Sequence, residues 1–215
     1  MLKYFKSSFI LFGLGLIAAG MKLYPQWGYQ KLSVRLLAAE AGVSSGMFHH
    51  VFADKDEFVG ELLRRKRQQI VGDVPFDFAD DVPPVERLRQ AIWQLALNVR
   101  NHLAWVHRVF ADAGNQMAVA EAFLRGHFSD VADRFLVLLN QCCQGTQSEQ
   151  LQRLSYLSSS VLATMILGTR LQAMGVLPDE LAVYVPEVLT DEAIAQRIEW
   201  AFKALFPQEV IRGAG

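Results

Sequence analysis

Apolar residues recur three and four positions apart along almost the whole chain, and that periodicity most constrains the fold. It runs through residues 9–24, 36–41, 58–71, 85–99, 103–110, 119–139, 151–174 and 194–206. No run alternates with period two for long enough to make a strand, so the expected fold is all-α, helices packed on helices. Helix-stopping residues fall between these runs: Pro25 and Gly28, Gly42, Asp54, the Pro83-Pro84 pair, Gly145, Pro178 and the Thr190-Asp191 pair. Residues 72–84, with four aspartates and three prolines, read as the clearest linker. A small module is expected over residues 1–54. A larger helical body follows over 55–215, joined by a connecting helix at 55–71.

Charge divides the same way. The chain carries 21 Lys+Arg and 22 Asp+Glu, a net charge of −1. Residues 1–72 hold ten basic against five acidic side chains, +5, and residues 73–215 hold eleven against seventeen, −6. The near-neutral total therefore excludes nothing about nucleic acid, since a basic module on an acidic body suits a polyanion partner. Cys142 and Cys143 are adjacent, which rarely allows a strain-free disulfide. A reducing compartment, the cytoplasm, is the expected location, and two inert thiols are the simpler reading than an oxidant sensor. No spaced nucleophile, metal or phosphate-loop motif points to an enzyme or a cofactor.

The amino terminus needs a separate decision. Lys3 and Lys6 precede an apolar stretch at residues 9–21 that ends near small residues, the composition of a signal peptide. The stretch is thirteen residues long, against the roughly 20 needed to span a bilayer. Two readings follow: a first core helix, or a secreted or membrane-anchored protein with residues 1–20 as the leader.

Residues 33–52 carry the function. Ser33 is a good N-cap, residues 34–41 make two helical turns, and Gly42 supplies a left-handed stop. Ser44 is expected to cap a second short helix. Small Ala38 suits a close helix crossing. Leu37, Ala41, Val43, Phe48 and Val51 fall on inward positions, leaving Ser45, Met47, His49 and His50 outward. This is the pattern of a helix-turn-helix, whose second helix enters a DNA major groove by its amino-terminal residues.

The pairs Ala18-Ala19, Leu23-Tyr24, Gly28-Tyr29, Ser33-Val34 and Leu37-Ala38 belong to a wider pattern. With the run from Ala41 to Ser44, Gly46, Phe52 and the run from Asp54 to Phe58, residues 10–65 resemble the amino-terminal domain of the TetR family of bacterial transcriptional regulators. The resemblance implies that the first helix is core, and hence that residues 1–20 are retained. It also implies roles. Ser33 should bond a phosphate by its hydroxyl and backbone N–H. Ser44 and Ser45 begin the recognition helix, with Ser45 the freer to touch DNA. Gly46 lets the backbone approach, and Met47, where the family often has Thr, can touch a thymine methyl. His49 stands where the family usually has a phosphate-facing Tyr, and Val51 replaces a frequent His or Tyr. His50 is outward beside it. Lys55 should meet a phosphate, with Arg35 and Lys31 adding general attraction. The basic cluster from Arg64 to Arg67 reads mostly as a solvated face.

For the body, the resemblance implies a homodimer on a palindromic operator, and a small, largely apolar effector. Residues 151–174 and 194–206 could supply two helices per subunit to a four-helix bundle. Trp93, Trp105, Phe110, Met117, Phe123, Tyr156 and Met165 are candidates for an apolar pocket, with His107, Arg108 and His127 as its polar groups. Arg108 and Asp112, four apart, could instead pair with each other. A metal held by His107, Asp112 and His127 has no fixed spacing behind it, and none is expected. Tilting of the connecting helix by the effector would change the spacing of the two recognition helices and release a repressor.

Overall fold

The computed structural model describes residues 2–207, with side chains described from residue 11 onward. The side chains of Lys3 and Lys6 lie outside the described residues. Every regular element among the described residues is a helix. The elements are α1 (Leu2–Lys31), α2 (Val34–Ala41), α3 (Ser45–Val51), α4 (Lys55–Val71), α5 (Pro84–Asn101), α6 (Leu103–Gly114) and α7 (Ala118–Cys142). Then come α8 (Gln147–Ser158), a π-helical turn (Ser159–Ala163), α9 (Thr164–Ala173), α10 (Asp179–Ala182), α11 (Val185–Val188) and α12 (Asp191–Leu205).

Contacts divide the chain into two compact units. The first comprises residues 1–69 and 104–127, the second residues 70–103 and 128–215. The first therefore takes in most of α4, nearly all of α6 and the start of α7 as well as the three amino-terminal helices.

The core of the first unit explains why α1 is a helix and not a leader. Leu16 and Tyr24 are fully buried there, with Ile17, Ala19 and Leu23 nearly so. They pack with Leu32, Leu37, Phe48, Phe58, Leu62 and Leu63. Cleavage near residue 20 would strip the α1 layer from this cluster. No helix among the described residues is long and apolar enough to cross a membrane. The burial of α1 argues against the reading of residues 1–20 as a leader that is removed.

Local chemistry shapes two boundaries differently from expectation. Pro25 does not stop α1, because a proline inside a helix removes one hydrogen bond without forbidding helical φ. The break comes at Gly28, with φ 65° and ψ 179°, and one further turn runs to Lys31. Ser44 occupies the N-cap position of α3, but its hydroxyl makes no capping bond; only its carbonyl accepts, from the Met47 N–H at 3.0 Å. Ser33, by contrast, caps α2 through its hydroxyl, which accepts from the Leu36 N–H at 3.2 Å, and Gly42 ends α2 in the left-handed region.

In the second unit, α5 buries Leu88, Ala91, Ile92, Leu95 and Ala96, and α12 buries Ile194, Ile198, Ala201 and Phe202. The α12 helix packs against α5, α8 and the π turn. A capping box at Thr146 and Glu149 starts α8. The long apolar segment expected at 151–174 is interrupted by that π turn, where the Ser159 and Ser160 hydroxyls bond the carbonyls of Ser155 and Tyr156. Such back-bonding by serine loosens the α-helical ladder and favours the wider turn.

Candidate nucleic-acid interface

The helix-turn-helix is assembled by α2 and α3 on α1. Leu37, Ala38 and Phe48 are buried, and Val34, Ala41, Val43 and Val51 pack partly buried against the same core. Aromatic contacts hold α3 to the start of α4. Phe48 lies 5.3 Å from Phe58, and Phe52 meets Phe58 edge-on at 4.9 Å between centroids. With that face inward, Ser33, Arg35, Ser44, Ser45, Gly46, His49 and His50 are exposed, and Met47 is half-buried. The His49 ring rests edge-on against Phe48 at 5.4 Å. A Cβ added at Gly46 would meet nothing nearer than the Ser44 hydroxyl at 4.0 Å. Gly46 is thus not required by packing.

Lys55 begins α4 with its ammonium 4.2 Å from the centre of the Tyr29 ring. The Tyr29 hydroxyl donates to Asp56. That bond, with some burial, pushes the Tyr29 phenol up to about 12. Partial burial pulls the Lys55 ammonium below its ordinary range, against the opposing pull of the Asp56 and Asp112 carboxylates. An ammonium stacked on a ring and incompletely hydrated gives up less water on meeting a phosphate than a free lysine does. Tyr29 as the platform for Lys55 was not legible in the spacing, because the two are 26 positions apart.

The basic run further along α4 is not one solvated face. Arg64 and Arg65 both bond Glu61, at 2.7 and 2.6 Å, and these bonds hold the Glu61 carboxyl down at about 2. Lys66 points inward and is only 9% exposed. It donates to Gln69 and lies 5.0 Å from the centre of the Trp105 ring, and burial lowers its pKa.

The residues expected to line an effector pocket are dispersed. Trp105, Met117 and Phe123 pack in or against the core of the first unit, where Trp105 stacks on Tyr24 at 4.9 Å. Phe123 stacks on His127 at 5.7 Å, His107 is half-buried and Phe110 is 42% exposed. Trp93, Tyr156 and Met165 belong to the second unit, with Trp93 half-buried, Tyr156 exposed and Met165 fully buried. Arg108 bonds the backbone of α1, donating to the Pro25 carbonyl at 3.2 Å and the Gln26 carbonyl at 3.1 Å. Asp112 accepts from the Tyr29 N–H at 2.8 Å. Among the described residues no three His, Cys, Asp or Glu side chains converge as metal ligands. A cleft of about 420 Å³ opens in the first unit between Gly13, Leu14 and Ile17 on one side and His50, Glu61 and Arg65 on the other. None of the expected pocket residues lines it.

Residues 16–62 match the model of the bacterial regulatory proteins of the tetR family. HbdR, an HTH-type transcriptional regulator of Aromatoleum sp. (strain CIB), is 32% identical over 78 residues, 36% of this chain and 34% of that protein. The match thus spans about a third of the length of that curated relative. Solved structures extend the likeness. A transcriptional regulator from Rhodococcus sp. Rha1 superposes with a TM-score of 0.63 at 25% identity, covering 89% of this chain and 96% of that one. A Vibrio parahaemolyticus protein assigned to the TetR family of transcriptional regulators gives 0.56 at 25% identity, over 90% and 97% of the two chains. With a helix-turn-helix of this geometry at residues 34–51, the chain carries the amino-terminal DNA-binding domain of the TetR family of bacterial transcriptional regulators.

Proposed function

We propose that this protein is a cytoplasmic repressor that binds a palindromic operator as a homodimer and leaves it when a small, largely apolar effector binds. In this reading residues 1–54 form the DNA-binding module and residues 55–215 the effector-binding and dimerisation body. The observation that carries it is the exposed face of α2 and α3. Ser33, Arg35, Ser45 and His49 are solvent-facing there beside an unobstructed Gly46, with Lys55 held on Tyr29 at the start of α4. Ser33 and Lys55 take the phosphates, and Ser45, Met47 and His50 face base edges. Ser44, whose hydroxyl is not used in capping, joins the contact set. The homodimer is supported by large apolar side chains left exposed on α8, α9 and α12, namely Tyr156, Leu167 and Trp200. The effector would act by favouring one tilt of α4, and its reach is limited by its differential affinity for the two states.

Selection of bound fragments from the source genome tests the reading. A palindromic consensus with half-sites about one helical turn, roughly 34 Å, apart is expected. Absence of any sequence preference overturns it. Lys55→Ala should weaken binding on every sequence and reduce the salt slope by about one.

A further inference from the structure

The corner between α1 and α2 is held from α6 by two side chains one helical turn apart. Arg108 takes the carbonyls of Pro25 and Gln26, the last of the long helical run. Asp112 takes the N–H of Tyr29, the first of the short turn that follows. Between them Gly28 turns the chain at φ 65°. A Cβ there would lie 2.7 Å from Arg108 Cδ and 2.9 Å from Asp112 Oδ1, so the two side chains are seated against bare backbone. Helix ends leave carbonyls, with partial negative charge, and N–H groups, with partial positive charge, without intrahelical partners. A cation on the first set and an anion on the second satisfy both and fix the angle at which the chain leaves α1. Asp112 is 3% exposed, so its charge acts with little screening.

What this corner delivers is Tyr29. Its backbone is bonded to Asp112, its hydroxyl to Asp56, and its ring carries the Lys55 ammonium. We propose that Arg108 and Asp112 are positioning residues for DNA binding: by fixing the turn at Gly28 they place Tyr29, and through Tyr29 they hold Lys55 where it meets a phosphate. This rests on the DNA-binding reading above. Neither residue touches DNA itself.

The test is titration of a mixed-sequence duplex by fluorescence anisotropy across a salt series, with the wild type, Arg108→Ala, Asp112→Ala, Asp112→Asn and Lys55→Ala. The two alanine variants at positions 108 and 112 should lose about tenfold in affinity at low salt. Their salt slopes should fall by about 0.9, the value for one phosphate contact and the same loss as Lys55→Ala. Adding Lys55→Ala to Asp112→Ala should remove no further slope, since both act on one contact. Asp112→Asn keeps an oxygen for the Tyr29 N–H and should keep the slope. A merely structural role would lower the bound fraction through partial unfolding and leave the slope unchanged. Unchanged slopes in folded alanine variants, with the wild type binding normally, overturn the positioning role alone. A wild type that binds no duplex overturns the DNA-binding reading and this inference together. If the alanine variants do not fold, Tyr29→Leu removes the platform below an intact corner. It should show the same slope loss, and an unchanged slope there also overturns the inference.

Discussion

In the first unit the rings of Phe48, Phe52 and Phe58 close on one another, with centroids between 4.9 and 5.6 Å apart. In the second, Leu151, Tyr156, Leu167, Tyr184 and Trp200 each leave more than two-fifths of their surface exposed. The first unit also spends its polar side chains internally: Arg108 and Asp112 are committed to the backbone of α1, and Tyr29 to Lys55 and Asp56. The α12 helix of the second buries Ile194, Ile198 and Phe202 while Trp200 is 62% exposed. Apolar surface left open on helices that already have a full core is what the proposed homodimer would cover. The comparison sets a region whose aromatic cluster and polar pairs are finished internally, though Leu11, Leu14, Trp27 and Phe110 are exposed at its surface, beside one whose exposed side chains on α8, α9 and α12 are the surface of the proposed homodimer.

The largest expected effect lies in the finished region. Phe58→Ala empties a site at the centre of the aromatic cluster and should cost about 3–5 kcal/mol. Urea unfolding followed by circular dichroism measures it, and a loss below about 1 kcal/mol would show the cluster to be loosely packed. Next is the open region. Trp200→Glu should raise the dimer dissociation constant by about 30-fold or more, an interface hot-spot loss of about 2 kcal/mol, without lowering the stability of the separated chain. Sedimentation equilibrium reads this, and a wild type that is monomeric at all concentrations removes the premise. Gly28→Ala should cost about 1–2 kcal/mol for the left-handed backbone alone, before the contact with Arg108 is counted. Equal stability of this variant and wild type would mean that the corner relaxes freely. The smallest effect is electrostatic. Glu61 has its folded pKa lowered to about 2 from 4.5, so its contribution is fully present above pH 4.5 and is lost as pH falls towards 2. The pairing is near the surface, and about 1 kcal/mol is its ceiling. Glu61→Gln should flatten the stability profile in that window, lowering stability at pH 7 by up to about 1 kcal/mol and changing it little near pH 2, as urea unfolding at the two pH values would measure.

Much of the candidate interface could be read directly from residue order. The inward Leu37 and Phe48, Ala38 at the close crossing, the Ser33 cap and the Gly42 stop are local matters of periodicity and backbone conformation, and each is found in place, while Ala41, Val43 and Val51, also read as inward, are partly buried. What was illegible depends on residues far apart in sequence. Arg108 was read with the effector pocket, and the structure turns it to α1, 82 positions away at Gln26. Lys66 was read as part of a solvated run and is buried on Trp105. The Ser44 hydroxyl leaves its expected cap unmade. These side chains are long or polar enough to choose among several partners, and the choice follows from which helices happen to lie alongside.

Sequence alone therefore determined the helical class and the helix-turn-helix, because a 3.6-residue apolar repeat and its stop signals act within a few turns of chain, whereas the core role of α1 came from the family resemblance. Only the tertiary structure decided that the break in α1 falls at Gly28 rather than Pro25 and that α6 holds this corner. It also showed that Lys55 rests on Tyr29. Those outcomes are set by electrostatic and packing contacts between segments brought together by burial of the core, and no local pattern encodes them.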